Sequence, residues 1–218
     1  RNSPQIGNTK NGRPKHLHLM PSGRQAISNA IKILELTRQD KIAIPDWSSS
    51  CVITAIGKFT TPISVSDAAA HGVPVSAVLD YEQWGWPRPI GNIINLLKSF
   101  SNPSIIFDRV DSPCFDKIKG LGIDKTKIME LWSLSKTIGL DGGGLLRYKG
   151  RWIGIENNTN DLRTLQSLSS IHDQGFAMEI AKTELKTIPP SVVSYTKNHD
   201  LYDAFYTEKI TRQKNLEE

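Results

Sequence analysis

Apolar positions along the chain switch repeatedly between a helical and an extended period. In "SGRQAISNAIKILEL" they fall at Ala26, Ile27, Ala30, Ile31 and Leu34, the spacing of one helix face, with Ser22-Gly23 as a start signal. "KIAIP" (41 to 45) predicts a short strand closed by proline, "SCVITAIGKF" (50 to 59) a helix, and "PISVSD" (62 to 67) a strand ending on an acid. "IGNIINLLKSF" (90 to 100) predicts a helix, "SIIFD" (104 to 108) a strand, and "IMELWS" (128 to 133) another strand. "GGLLRYKGRWIGI" predicts a hairpin turning at Lys149-Gly150, and the chain from about Thr159 reads as mostly helical. The strands are short, apolar and β-branched, as for a sheet covered on both faces. Their alternation with helices predicts an α/β fold, a three-layer α/β/α sandwich on a mostly parallel mixed sheet. Ligands of such sheets sit at the carboxyl ends of the strands. Asp67, Asp108 and Lys136 all fall at or just beyond a predicted strand end.

Composition narrows the class. Of 218 residues, 38% are hydrophobic and 22% charged, enough for a substantial buried core. No apolar run reaches the length of a membrane helix, and the first residues carry no apolar signal core, so no membrane partner is expected. The chain does not begin with Met, so a fragment or a processed form is expected. Two cysteines, Cys51 and Cys114, are too few for a disulfide framework or a zinc site, and a cytoplasmic location is expected. The net charge of +5 permits nucleic acid as a partner. The basic residues are nevertheless spread out, with one cluster in "GRPKHLH", which reads as a solvated tail rather than a nucleic-acid arm.

The stretch "LWSLSKTIGLDGGGLL" (131 to 146) is the one that asks for chemistry. A lysine at the end of an apolar strand forms either a buried ion pair or a Schiff base with an aldehyde cofactor. The serine three residues earlier, Ser133, can place its hydroxyl on a cofactor phosphate while Lys136 reaches the aldehyde. Asp108 ends the apolar strand "SIIFD", where a buried carboxylate would keep the ring nitrogen of pyridoxal phosphate protonated; helix capping or pairing with Arg109 is the alternative. "MPSGRQAI" offers a helix start whose N–H groups, at Gly23, Arg24 and Gln25, suit a phosphate. Glycines 142 to 144 suggest that something bulky approaches the backbone, or else a turn before the hairpin.

In order and separation these pieces resemble the DegT/DnrJ/EryC1/StrS aminotransferases, pyridoxal-phosphate enzymes of fold type I. The resemblance runs through "SGRQAISNAIKILELTRQDKIAIPDWSSSCVITAIGKFTTPISVSD", "WGWPRPIGNIINLLKSFSNPSIIFDRVDS" and "LWSLSKTIGLDGGGLL", covering residues 17 to about 150. A fainter match follows in "HDQGFAMEIAKTELKTIP" (172 to 189). The resemblance implies that Lys136 carries pyridoxal 5'-phosphate as a Schiff base and then acts as acid and base. It implies that Asp108 binds the pyridinium, that Ser22, Gly23, Arg24 and Ser133 hold the phosphate, and that Asp111 stands beside the ring oxygen. It further implies an amino-acid donor such as glutamate, a nucleotide-linked keto-sugar acceptor, a homodimer, and glycines that carry the backbone past the cofactor.

The chain departs from that family at several points. Where an aromatic stacks on the ring the chain has Ser49, so Trp47 would substitute. The small residue under the ring becomes Arg109 or Val110. The stretch between Asp67 and Tyr81 is short, as if a strand–helix unit were trimmed. An Asn-x-Arg that reaches the neighbouring subunit's cofactor is replaced by Ala177-Met178-Glu179. About 80 residues follow Lys136, fewer than a full C-terminal domain, which predicts a truncated or compact variant. The expected division is a tail (1–16), a cofactor-binding unit (17–158) and a helical segment (159–218). Elimination or dehydration on the same scaffold is an alternative reaction, and a non-catalytic binding or assembly partner is an alternative of another class.

Overall fold

A computed structural model describes residues 16–86, 88–116, 118–149 and 188–217. Seven strands form one sheet in the order β1 (Leu17–Met20), β7 (Gly144–Tyr148), β6 (Ile128–Ser133), β5 (Ser104–Asp108), β4 (Ala77–Tyr81), β2 (Lys41–Ile44) and β3 (Thr61–Ser64). The five from β6 to β3 run parallel, β7 is antiparallel to β6, and β1 is antiparallel to β7. The predicted α/β architecture with a mostly parallel mixed sheet is the one observed.

Side-chain alternation divides the core into two faces. On one face Ile42 and Ile44 of β2, Leu79 of β4, Ile106 of β5 and Met129 and Leu131 of β6 meet α1 (Gly23–Ile33) and α2 (Ser50–Gly57). On the other, Ala43, Val78, Ile105 and Phe107 meet α3 (Val65–Ala70) and α4 (Ile90–Ser99). Beyond α4 on this second face, Trp132 and Leu145 pack against the C-terminal helices α6 (Pro190–Asn198) and α7 (Leu201–Glu217) through Val192, Leu201 and Phe205. A short helix, α5 (Leu134–Thr137), follows β6 directly.

Several predicted elements change. "PISVSD" is a strand only to Ser64, whose hydroxyl accepts the Asp67 N–H (3.0 Å) and starts α3, so Asp67 lies in a helix rather than at a strand end. Strand β4 was not foreseen, because Asp80 interrupts its apolar run; that carboxylate is buried and forms an ion pair with Arg88 at 2.9 Å. The end of "GRPKHLH" is not tail: His18 sits in the edge strand β1, and burial, with His16 beside it, brings its pKa down to about 4. Both edges of β7 are taken, by β1 and β6, and the second arm of the expected hairpin, like the segment 172–187 of the fainter match, lies outside the described residues.

The glycine triplet answers to the chain itself. A Cβ on Gly144 would lie 2.5 Å from the carbonyl carbon and oxygen of Ser22 and 2.8 Å from the Gly23 nitrogen. Gly143 has φ +85°, and its Cβ would stand 2.8 Å from Val192. The bulky neighbours of Gly143 and Gly144 are therefore α6 and the start of α1. Gly144→Ala is expected to lower stability by about 1–3 kcal/mol, the usual cost of overpacking against atoms that cannot rotate away. Urea denaturation measures it, and a midpoint equal to the parent's would contradict the close approach.

Candidate active site

The carboxyl ends of β2, β4, β5 and β6 and the start of α1 enclose a cavity of about 560 Å³, within the range of small-molecule sites. Each contributor arrives by register. Tyr81 and Asp108 are opposite one another on β4 and β5, and Ser133 ends β6 opposite Gly144. Alternation along β5 and β6 puts Asp108 and Ser133 on the face that carries α1. Lys136 then reaches the same cavity because α5 turns the chain immediately after Ser133.

Asp108 is 1% exposed, and its carboxylate accepts the Val110 N–H at 3.2 Å. Burial pushes its pKa up to about 7; the Val110 N–H and the charge of Lys136 oppose that rise, and Asp111 and Glu82 add to it. A cationic ring nitrogen placed against this acid would supply the charge that burial removes.

At the other end, Ser22 caps α1: its hydroxyl accepts the Gln25 N–H at 3.2 Å. The Gln25 N–H is therefore spent on the cap, which corrects its inclusion among the phosphate donors. The Gly23 N–H lies in the first turn and has no carbonyl to pair with inside its own helix. A Cβ on Gly23 would meet Val110 at 3.2 Å and Ser133 at 3.4 Å, so glycine lets the helix start sit against the end of β6. Arg24 and Ser133 complete this end of the cavity, and the Ser133 and Ser135 hydroxyls share a hydrogen bond of 3.0 Å.

The Lys136 side chain is 57% exposed, and its Nζ stands 3.2 Å from Asp111 Oδ1. Asp111 does not line the cavity and meets it through Lys136; its other oxygen accepts the Tyr81 hydroxyl. The Tyr81 phenol is held above its ordinary range, first by burial and then by that hydrogen bond, so it remains a donor at neutral pH. Trp47 is half exposed at the rim, its ring centroid 5.5 Å from that of Tyr81, and Ser49 lines the wall nearby. Of the two candidates for the position under a ring, Val110 faces the cavity. Arg109 points to the opposite face, forming ion pairs with Glu82 and Glu130, both at 2.9 Å.

An acid floor, an anion-accepting helix start with a neighbouring arginine and serine, and an amine on the wall form a donor set that fits a phosphate-bearing pyridine aldehyde. Sequence reasoning missed Tyr81 and Ser135. Tyr81 ends β4, a strand that the sequence reading did not predict, and Ser135 lies between the two stronger signals Ser133 and Lys136. Among the described residues no group of His, Cys, Asp and Glu could hold a metal ion, and no helix is long and apolar enough to cross a membrane.

The model of a family described as "putative PLP-dependent aminotransferase" matches residues 9–203. Among curated proteins no relative matches. An aminotransferase from Psychrobacter cryohalolentis has a similar structure, with a TM-score of 0.50 and 17% identity, over 62% of this chain and 38% of its own. DesV from S. venezuelae does so with a TM-score of 0.51 and 15% identity, over 84% of this chain and 53% of its own. At these identities the likeness is one of fold, and the chain spans 38% and 53% of the length of these two solved chains.

The raised Asp108 pKa has a sign that can be measured. Between about pH 4 and pH 7 the folded chain holds a proton that the unfolded chain has lost, so this contribution to stability is present at the acid end and is lost as pH rises through 7. In the cofactor-free chain the unfolding free energy from urea denaturation is expected to fall between pH 5 and pH 8, by an amount on the order of a few kcal/mol. Asp108→Asn should flatten most of the fall, leaving a residual slope from Asp80, which burial also raises. An unchanged slope in the variant would show that Asp108 is not the titrating group.

Proposed function

The chain belongs to the PLP-dependent aminotransferase family, and from that premise we propose that its cavity binds pyridoxal 5'-phosphate and moves an amino group from an amino acid such as glutamate to a keto-sugar nucleotide. The observation that carries the reading is the convergence of Asp108, Ser133, Lys136 and the Gly23 helix start on one cavity from separate elements. The sugar acceptor rests on the sequence resemblance to the DegT/DnrJ/EryC1/StrS aminotransferases.

When bound, the cofactor supplies an aldehyde that amines condense with and a ring that accepts an electron pair. Asp108 would hold a proton on the ring nitrogen, and a positive charge there would oppose the rise that burial gives its own pKa. The first turn of α1, with Arg24, Ser22 and Ser133, receives the phosphate at the positive end of the helix dipole. Lys136 would be the amine that holds the cofactor, and its Nζ would accept and return a proton at that site. Asp111 orients the Lys136 amine, and Tyr81 fixes Asp111 by donating to it. Trp47 and Val110, which both line the cavity, would be the walls against the ring.

The proposed division follows the same geometry. The lining residues run from Ser22 to Gly142, inside a cofactor unit of 17–158, and the helical segment 159–218 contributes its described helices to the opposite face. The exposure of Lys136 leaves the amine open to water, so a second copy of the chain is proposed to cover the mouth as a homodimer. A second reading, a non-catalytic assembly partner, is favoured by the 57% exposure of the Lys136 side chain.

Mixing the purified chain with pyridoxal phosphate is expected to give a yellow absorption band that borohydride bleaches with one covalent adduct at Lys136. Lys136→Ala should abolish band and adduct alike. Addition of glutamate to the parent chain should replace the band with that of the amino form of the cofactor. A band that forms and ignores amino donors would select the assembly reading, and the absence of a band would refute the cofactor site.

A further inference from the structure

The placement of the Lys136 amine is not secured by its own ion pair. An ion pair with a partner more than half exposed is worth about 0–1 kcal/mol, too little to hold a flexible side chain in one position. The position of the amine therefore depends on how the turn carrying Lys136 sits against the turn carrying Asp111. From inside, the two turns are joined by Thr137, whose buried hydroxyl lies 3.2 Å from the Val110 carbonyl and 2.8 Å from that of Ser133. From outside they are joined by a residue 76 positions along the chain from Lys136. Arg212 of α7 donates from Nη1 to the Asp111 carbonyl at 2.7 Å and from Nη2 to the Lys136 carbonyl at 3.3 Å.

We propose that Arg212 is a positioning residue for the cofactor lysine, a clamp by which the C-terminal helix fixes the turn of Lys136 to the turn of Asp111. This rests on the reading of Lys136 as the cofactor-binding amine. A guanidinium suits the task because two of its nitrogens hold two acceptors in one rigid plane, which an ammonium does not do. Its orientation is fixed by Glu208, one helical turn earlier, whose carboxylate accepts from Nε at 2.7 Å. Its height is fixed by the anchoring of α7: Leu201 and Phe205 are buried with Phe115 and Trp132, and Phe115 packs edge-on against Tyr202 at 4.7 Å. Leu201, Phe205, Glu208 and Arg212 follow one another at three or four residues and so share a helix face. The Asp111 carbonyl is enclosed on its other side by Gly85, where a Cβ would come within 2.7 Å of it. Because Arg212 meets both turns only at backbone carbonyls, it sets geometry and takes no part in proton movement.

The test compares the 218-residue chain with R212Q, R212K and E208Q. Hydrogen exchange read without cofactor, in peptides covering 134–138 and 109–112, is expected to rise about fivefold to tenfold in R212Q, the size of one lost hydrogen bond of ordinary net strength. The increase should be smaller in R212K and E208Q, while β5 and β6 stay protected. The dissociation constant for pyridoxal phosphate, read from the visible band, should rise by a similar factor in R212Q. Wild-type exchange in both turns of R212Q overturns the clamp, and so does an equal rise across β5 and β6, which marks general destabilisation. Should R212Q melt α7, R212K, which keeps the charge and can hold one carbonyl, carries the same comparison. Because exchange is measured on the apo chain, failure of the clamp and failure of the parent chain to bind pyridoxal phosphate are separate results.

Discussion

Side-chain alternation at the carboxyl ends of three parallel strands is the constraint from which the chemistry of this fold follows. Along β4, β5 and β6 each step of one residue changes the face. Tyr81, Asp108 and Ser133 therefore point toward α1, while Asp80, Arg109 and Glu130 are directed to the other side. A slip of one residue in either β5 or β6 would exchange an acid of the cavity for an arginine of the opposite face, or a cavity serine for a tryptophan. The register is held by apolar neighbours on both faces, so the site inherits its precision from the core.

The second face shows what the alternation requires in return. Arg109, Arg147, Glu82 and Glu130 lie buried beneath the strand ends, two charges of each sign. Glu130 accepts from both arginines, with Arg147 Nε to Oε1 at 2.8 Å, and the arginines spread over Trp132 at 5.3 and 4.8 Å from its ring centroid. Arg109 and Arg147 also donate to the carbonyls of Phe115 and Asp116. Such a network adds little net stability over an apolar core, since desolvation offsets most of the attraction, yet removal of one member would leave an uncompensated buried charge. Its geometrical effect is plain: it ties the loop after Asp108 to β6 and β7, and so holds the segment on which Asp111 stands.

Close backbone approach is the third element. Gly23 and Gly144 bring the start of α1, the end of β6 and the start of β7 within van der Waals distance of each other. The positive end of α1 is thereby set beside Ser133. The C-terminal helices rest on the far face of the sheet, with Val192 fitted against Gly143 and Arg212 reaching round to the carbonyls of Asp111 and Lys136. Sheet, α1 and α7 thus converge on the few residues around the amine.

Much of this was legible in the chain. The periods of "SGRQAISNAIKILEL", "SIIFD" and "IMELWS" fix which residues are buried, because local spacing and burial obey the same geometry. The acid at the end of β5 stands out because a buried charge there is costly unless it is paired. What sequence could not supply were pairings between distant segments: the Tyr81–Asp111–Lys136 chain, the choice of Val110 over Arg109 on the cavity wall, the contact of Gly144 with Ser22, and the reach of Arg212. "AVLDY" was missed as a strand because Asp80 breaks the apolar run, and only Arg88, eight residues on, makes that acid tolerable. By itself the sequence determined the alternation of helix and strand and the chemical character of each strand end. Tertiary structure alone decided which of those ends face one another, since that depends on strand order and register, which are set by contacts far apart along the chain.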